Sequence, residues 1–268
     1  MSILKLIDPT DGSYFSENHL GRDTLLYFLH IPKTAGSSFG VEMRSRLTPN
    51  YKILIDYGES KLPIAVQRHM LFANFLAMKN RQRLRFVSGH IPFQNACTVA
   101  LAAPNVRFVT FLRDPMARII SDYRYQLSDA HPLHAKFAAS YPNFGSYIEH
   151  RGANEKMYHF LCLYRGESVE DVISRMERTF MLVGTLEHYE LCFEIVTALI
   201  GKMQKPSVET NKGDSKKTLP VAPSNKEIQR VREKNPNDYR IYQHFQNMLS
   251  ANETIINGKL KQQSTSGV

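Results

Sequence analysis

Two short stretches of this 268-residue chain carry side chains suited to handling an anionic group. The first, Leu25–Ser38, reads LLYFLHIPKTAGSS. Its polar end supplies one cation, Lys33, and then Thr34, Ala35, Gly36, Ser37 and Ser38, all small or hydroxylated. Backbone N–H groups at a helix start, the positive helix end and a lysine ammonium together make an anion site of the phosphate type. The second stretch, Val109–Tyr125, reads VTFLRDPMARIISDYRY. In it Arg113 offers a planar fork that grips phosphate through two parallel bonds, and Ser121 follows two turns into the next helix. Between them lies Phe86–Phe93, FVSGHIPF, whose His90 is of the residue type that ordinarily titrates near neutrality and so suits a general base. His30 is the rival base, but its place before Pro32 inside a strand end reads as packing. Glu42 and Asp56 are weaker candidates.

Each of these groups needs a strand end to hold it. Leu25–Leu29 is a continuous apolar run, as in a buried strand, and Pro32 cannot donate to a ladder. Phe39, Met43 and Leu47 recur every fourth residue and predict a helix over 38–47. The loop is not a Walker A motif, because the lysine precedes the glycine. Strands are predicted at 84–90 and 106–112, the second running through Asp114 as N-cap and Pro115 as first helical residue into a helix over 116–127. Arg118 and Asp122 are spaced to pair on that helix.

Further strands are expected at 51–57 and 180–185, and helices at 63–79, 94–103, 153–164, 168–179 and 186–200. This alternation predicts an α/β fold, a central, mainly parallel sheet flanked by helices. In such sheets ligands sit beyond the carboxyl ends of the strands, where Lys33, His90 and Arg113 all fall. Residues 1–23 read as a surface wrap, 129–149 as a lid or acceptor loop with a short helix, and 202–226 as a flexible basic segment. A last helix is expected to end near 250, with 251–268 a disordered tail. The whole of 1–268 reads as one domain with its core in 25–250.

The formal charge of +9 favours anionic partners. Three widely spaced cysteines, Cys97, Cys162 and Cys192, form no C-x-x-C and imply neither a disulfide framework nor a zinc site. No run of about 18 apolar residues occurs, and the first residues lack a signal-type apolar core. These features lead to the expectation of a cytoplasmic protein of bacterial type with no membrane anchor. Oligomeric state is left open.

His30–Ser38 resembles the 5′-phosphosulfate loop of sulfotransferases, most closely the carbohydrate branch that includes heparan sulfate 2-O- and 6-O-sulfotransferases. Leu112–Tyr123 is similar to the family's 3′-phosphate motif, Arg-Asp-Pro-x-x-Arg-x-x-Ser-x-Tyr after a strand. The resemblance implies a P-loop-like three-layer fold and 3′-phosphoadenosine 5′-phosphosulfate (PAPS) as donor, with no metal. It implies that Lys33, Thr34, Ala35, Gly36, Ser37 and Ser38 hold the phosphosulfate, that Arg113 and Ser121 hold the 3′-phosphate, and that His90 is the base. The family commonly closes the nucleotide site with a basic C-terminal loop, for which Lys212 is the candidate here. The implied acceptor is a hydroxyl on a glycan or glycolipid, not a nucleic acid. Sulfation of a small metabolite or lipid hydroxyl, metal-dependent phosphoryl transfer, and a non-catalytic nucleotide- or glycan-binding module are the alternatives.

Overall fold

The computed structural model describes residues 3–34, 36–56, 60–78, 83–103, 105–207 and 221–265. Ala35 and Lys212, both expected at the anion site, lie outside the described residues. Five strands form one sheet: β1 (Leu25–Leu29), β2 (Asn50–Ile53), β3 (Phe86–Gly89), β4 (Val106–Leu112) and β5 (Phe180–Thr185). Their order is β2-β3-β1-β4-β5, and every pairing is parallel. β1, β3 and β5 are buried along their whole length, and β1 accordingly reads as an unbroken apolar run and not as an alternating one.

The crossovers cover the sheet with helices. α1 (Leu4–Ile7) and α2 (Tyr14–Glu17) precede β1, and α3 (Gly36–Arg46) follows it. α4 (Ile64–Ala77) links β2 to β3, α5 (Phe93–Ala102) links β3 to β4, and α6 (Pro115–Leu127) leaves β4. Asp114 caps α6 by accepting the Ala117 N–H at 2.8 Å, and Pro115 takes the first turn, as its sequence predicts. Leu29 lies opposite Gly89 on one side and Thr110 on the other, so β1 and β3 end level while β4 runs two residues further, to Leu112. From there the chain after β1 turns towards β2, and the chain after β4 turns away towards β5. This divergence opens the crevice in which α/β sheets bind ligands.

Three expectations need correction. Residues 1–23 are not merely a surface wrap: Ile3, Leu6, Tyr14, Phe15 and Leu20 enter the main core, and the Tyr14 hydroxyl donates to the Met181 carbonyl at 2.9 Å. The segment 129–149 forms two short helices, α7 (His134–Ser140) and α8 (Phe144–Ile148). Phe144, Tyr147 and Ile148 pack with Ile119 and Tyr123 of α6 in a second apolar cluster, so much of the segment is anchored. Nor is 251–265, the described part of the expected tail, disordered. After α9 (Lys156–Leu161), α10 (Val169–Thr179), α11 (Tyr189–Leu199) and α12 (Asn225–Lys234), the last helix α13 runs from Pro236 to Thr265. Phe245, Leu249, Ile256 and Leu260 form its buried stripe, and Lys259 Nζ donates to the Lys5 and Asp11 carbonyls at 2.7 and 2.6 Å. The polar residues that flank Ile256 and Leu260 disguise that stripe in the sequence.

Two helix starts cap each other. Glu155 accepts the Asn237 and Asp238 N–H groups at 3.0 and 2.9 Å, while Asp238 accepts those of Tyr158 and Met157 at 2.7 and 3.2 Å. Burial and then the nearby Asp238 carboxylate push the Glu155 carboxyl up to about 7. Burial raises the Asp238 carboxyl as well, against the pull of Arg118, the two N–H bonds and His159. A carboxyl raised in the folded state stabilises the fold fully below its unfolded pKa, and that contribution is lost as pH rises through about 7. Glu155→Gln is therefore expected to gain in melting temperature on the parent between pH 5 and pH 8. An equal offset at both pH values would rule out this titration.

Candidate active site

The first motif begins its turn at Lys33, whose φ of 70° lies in the left-handed region. For a residue with a Cβ this conformation costs on the order of 1 kcal/mol. The Thr34 hydroxyl donates to the Ile31 carbonyl at 2.9 Å and closes the turn from beneath. Alternating left- and right-handed residues ahead of a helix turn successive N–H groups outward as an anion-binding concavity. α3 starts at once, at Gly36. A Cβ there would lie 1.9 Å from His30 Cδ2, so only glycine lets the helix start sit on that ring. Ser37 is exposed and Ser38 buried.

Lys33 Nζ rests 4.2 Å from the centroid of the Tyr125 ring, a cation–π contact. Burial lowers its pKa; the Asp122 charge opposes that shift, and Arg113 and Arg118 add to it. Arg113, at the end of β4, donates from Nη1 to the Lys33 carbonyl at 3.3 Å. That bond joins the two motifs across adjacent strands. Arg113 Nε is buried and finds no acceptor among the described residues. Ser121 is half-buried on α6. Arg118 and Asp122 pair at 3.3 Å, as their spacing predicts, and Tyr147 donates its hydroxyl to Asp122 at 3.0 Å. With Arg118 held in this pair, Arg113 and Arg124 are the motif's other cations, both half-buried.

His90 follows β3, whose last residue, Gly89, is held so near β2 that a Cβ would lie 2.7 Å from Ile53 Cβ. Its Nδ1 lies 2.8 Å from the His30 carbonyl oxygen. A carbonyl only accepts, so Nδ1 carries the proton and the lone pair of the neutral ring is on Nε2. Burial, reinforced by the positive charges of Arg68, Lys52 and Lys156, takes the His90 pKa down to about 4, against the pull of that backbone bond. The rings of His30 and His90 are 4.2 Å apart, and His30 stacks on Phe28 at 5.2 Å. His30 is thus the support that orients His90, in line with its reading as a packing residue. Glu42 is buried, pairs with Arg46 at 2.8 Å and accepts from the Ser207 N–H and hydroxyl. It is a structural tether. Asp56 is exposed, and its N–H donates to Gln67.

Lys33, His90 and Arg113 follow β1, β3 and β4, three neighbours in the sheet; Arg113 acts on the Lys33 charge, and Lys33 and His90 both act on His30 between them. The sequence does not single out Lys52, Arg68, Lys156 or Tyr125 as site residues. Arg68 lies on α4 with its guanidinium 5.3 Å from the Phe160 ring, and Lys156 opens α9. Only the fold brings these distant segments beside His90. Tyr125 sits at the end of the second motif, four residues beyond Ser121, and that one-turn spacing is the signal that could have pointed to it.

No curated protein matches the sequence. Among solved structures, the chain is similar to the crystal structure of mouse sulfotransferase SULT7A1 complexed with PAP, at 11% identity and a TM-score of 0.40, over 85% of this chain and 69% of that one. The model of the sulfotransferase family Sulfotransfer_2 matches residues 21–246, a span that takes in both anion motifs, His90 and the whole sheet. The chain belongs to the sulfotransferase family.

Proposed function

We infer that the protein transfers a sulfuryl group from PAPS to a hydroxyl of a glycan or glycolipid acceptor. The observation that carries this reading is the Arg113–Lys33 carbonyl bond, which holds two cation-bearing loops together over the crevice while Arg113 Nε has no acceptor of its own. A donor with separate 5′ and 3′ anionic ends suits two such loops. The N–H groups around Gly36, with Ser37 and Ser38, hold the phosphosulfate, and Arg113 with Ser121 holds the 3′-phosphate. His90 Nε2 takes the proton of the acceptor hydroxyl as its oxygen bonds to sulfur. The bond from sulfur to the nucleotide's phosphate oxygen breaks, and Lys33 offsets the charge left on that oxygen. Asp122 and Tyr125 keep the ammonium charged and aimed until then. Arg68, Lys52 and Lys156 around His90 suit an acceptor that bears an anionic group near the reacting hydroxyl. A basic loop around Lys212 is the candidate for closing over the nucleotide.

Calorimetric titration with 3′-phosphoadenosine 5′-phosphate (PAP), the spent donor, against 5′-AMP tests the donor. The 3′-phosphate is expected to tighten binding by about 10-fold or more, the scale of a charge-assisted contact. Arg113→Ala is expected to erase that difference while leaving AMP affinity nearly unchanged. Equal affinities in the parent protein would remove PAPS as donor.

A further inference from the structure

α4 has a face that no other described residue covers. A helix on a protein surface ordinarily turns charged residues outward. Leu62–Met78 carries a single formal charge, Arg68, and that residue reaches inward over the Phe160 ring. The inner side is well held. Phe72 and Phe75 are buried, Phe75 stacks on Tyr51 of β2 at 5.8 Å, and Gln67 bonds the Leu62 carbonyl and the Asp56 N–H at 3.0 Å each. The outer side repeats small and apolar residues at helical spacing, Val66, Met70, Ala73 and Ala77, all exposed. Leu62, just ahead of the helix, is exposed as well. Val66, Met70 and Leu62 keep 41%, 51% and 45% of their surface in water, and Leu54, just beyond β2, keeps 60%. Scattered exposed apolar side chains are ordinary, but an aligned apolar row marks an interaction surface.

We propose that this face of α4 docks on an anionic lipid surface. Charge decides between the two occupants an apolar stripe suggests. A second copy would bring one +9 chain against another, and one 14-residue helix face is a small area for a stable dimer. An anionic membrane instead complements the net charge and the cations at the rim, Lys52 and Lys61, both exposed. Apolar burial into the headgroup region and attraction to acidic lipids then act together, as they do for helices lying in the membrane plane.

The test is co-sedimentation of the full chain with vesicles of phosphatidylcholine alone or mixed with phosphatidylserine. Binding is expected only to the mixed vesicles, to weaken with added salt, and to fall by ~10-fold or more in Val66→Glu/Met70→Glu. The milder Val66→Asn/Met70→Gln is to show the same direction of change, and both variants are to keep the parent's melting temperature and PAP affinity. Absence of binding to mixed vesicles, or binding that both double variants leave intact, overturns the proposal. Light scattering that shows a dimer dissolved by the same substitutions, with no vesicle binding, assigns the face to a second copy instead.

Discussion

Lys33→Ala is expected to lower turnover by about 10²–10³-fold, the loss seen when one preplaced charge-stabilising donor is removed from an active site. The effect should fall on kcat. Arg113 and the N–H groups at the start of α3 still hold the nucleotide, whereas the ammonium matters most as charge develops on the departing oxygen. The left-handed backbone at Lys33 allows a control that separates charge from conformation. Lys33→Gly removes the ammonium and also relieves the strain at that residue, so it should be the more stable variant yet equally slow. If the glycine variant regains most of the activity, the backbone and not the charge is the contribution of this position. Tyr125→Leu offers a smaller check. It removes the ring on which the ammonium rests at 4.2 Å, and should reduce turnover several-fold with little change in PAP affinity.

The elements nearest the chemistry are the ones most legible in the sequence. β1, β4 and β5 are predicted within a residue of their bounds, because strands buried on both faces must be continuous apolar runs closed by Pro, Gly or a capped helix start. The Asp114–Pro115 start of α6 is equally local, since cap and first-turn proline act within four residues. What is not legible depends on partners far along the chain. Ile256 and Leu260 show their burial only once α13 lies against α1, and Tyr14 only once its hydroxyl reaches Met181. The same holds within the site. Lys33, His90 and Arg113 share a place after a strand, a one-dimensional property. Arg68 and Lys156 are ordinary surface cations until α4 and α9 bring them to one imidazole. On the proposed reading the acceptor meets such segments, and for that reason the expected donor side is the more visible of the two in the sequence.

His90→Gln is expected to lower kcat/KM by ~10²–10⁴-fold, the usual contribution of a positioned general base, while leaving PAP binding intact. Glutamine keeps a donor for the His30 carbonyl but has no basic nitrogen to take the proton, so the substitution tests chemistry without removing the support. The pH profile makes the test specific. A histidine held down near 4 stays neutral, with Nε2 free, across the range in which an ordinary histidine is protonated. The acid limb of kcat/KM, which reports the free enzyme, is therefore expected well below pH 6.5 and is expected to vanish in His90→Gln. The limb of kcat should lie higher, because a bound anion beside the ring favours imidazolium. Linkage adds a stability signature. For a lowered histidine the contribution is complete above the unfolded pKa and is lost as pH falls towards the folded one, here between 6.5 and about 4. His90→Gln should flatten that decline in melting temperature. A limb at the ordinary histidine position that persists in the variant would show that another group is the base, even if turnover had fallen.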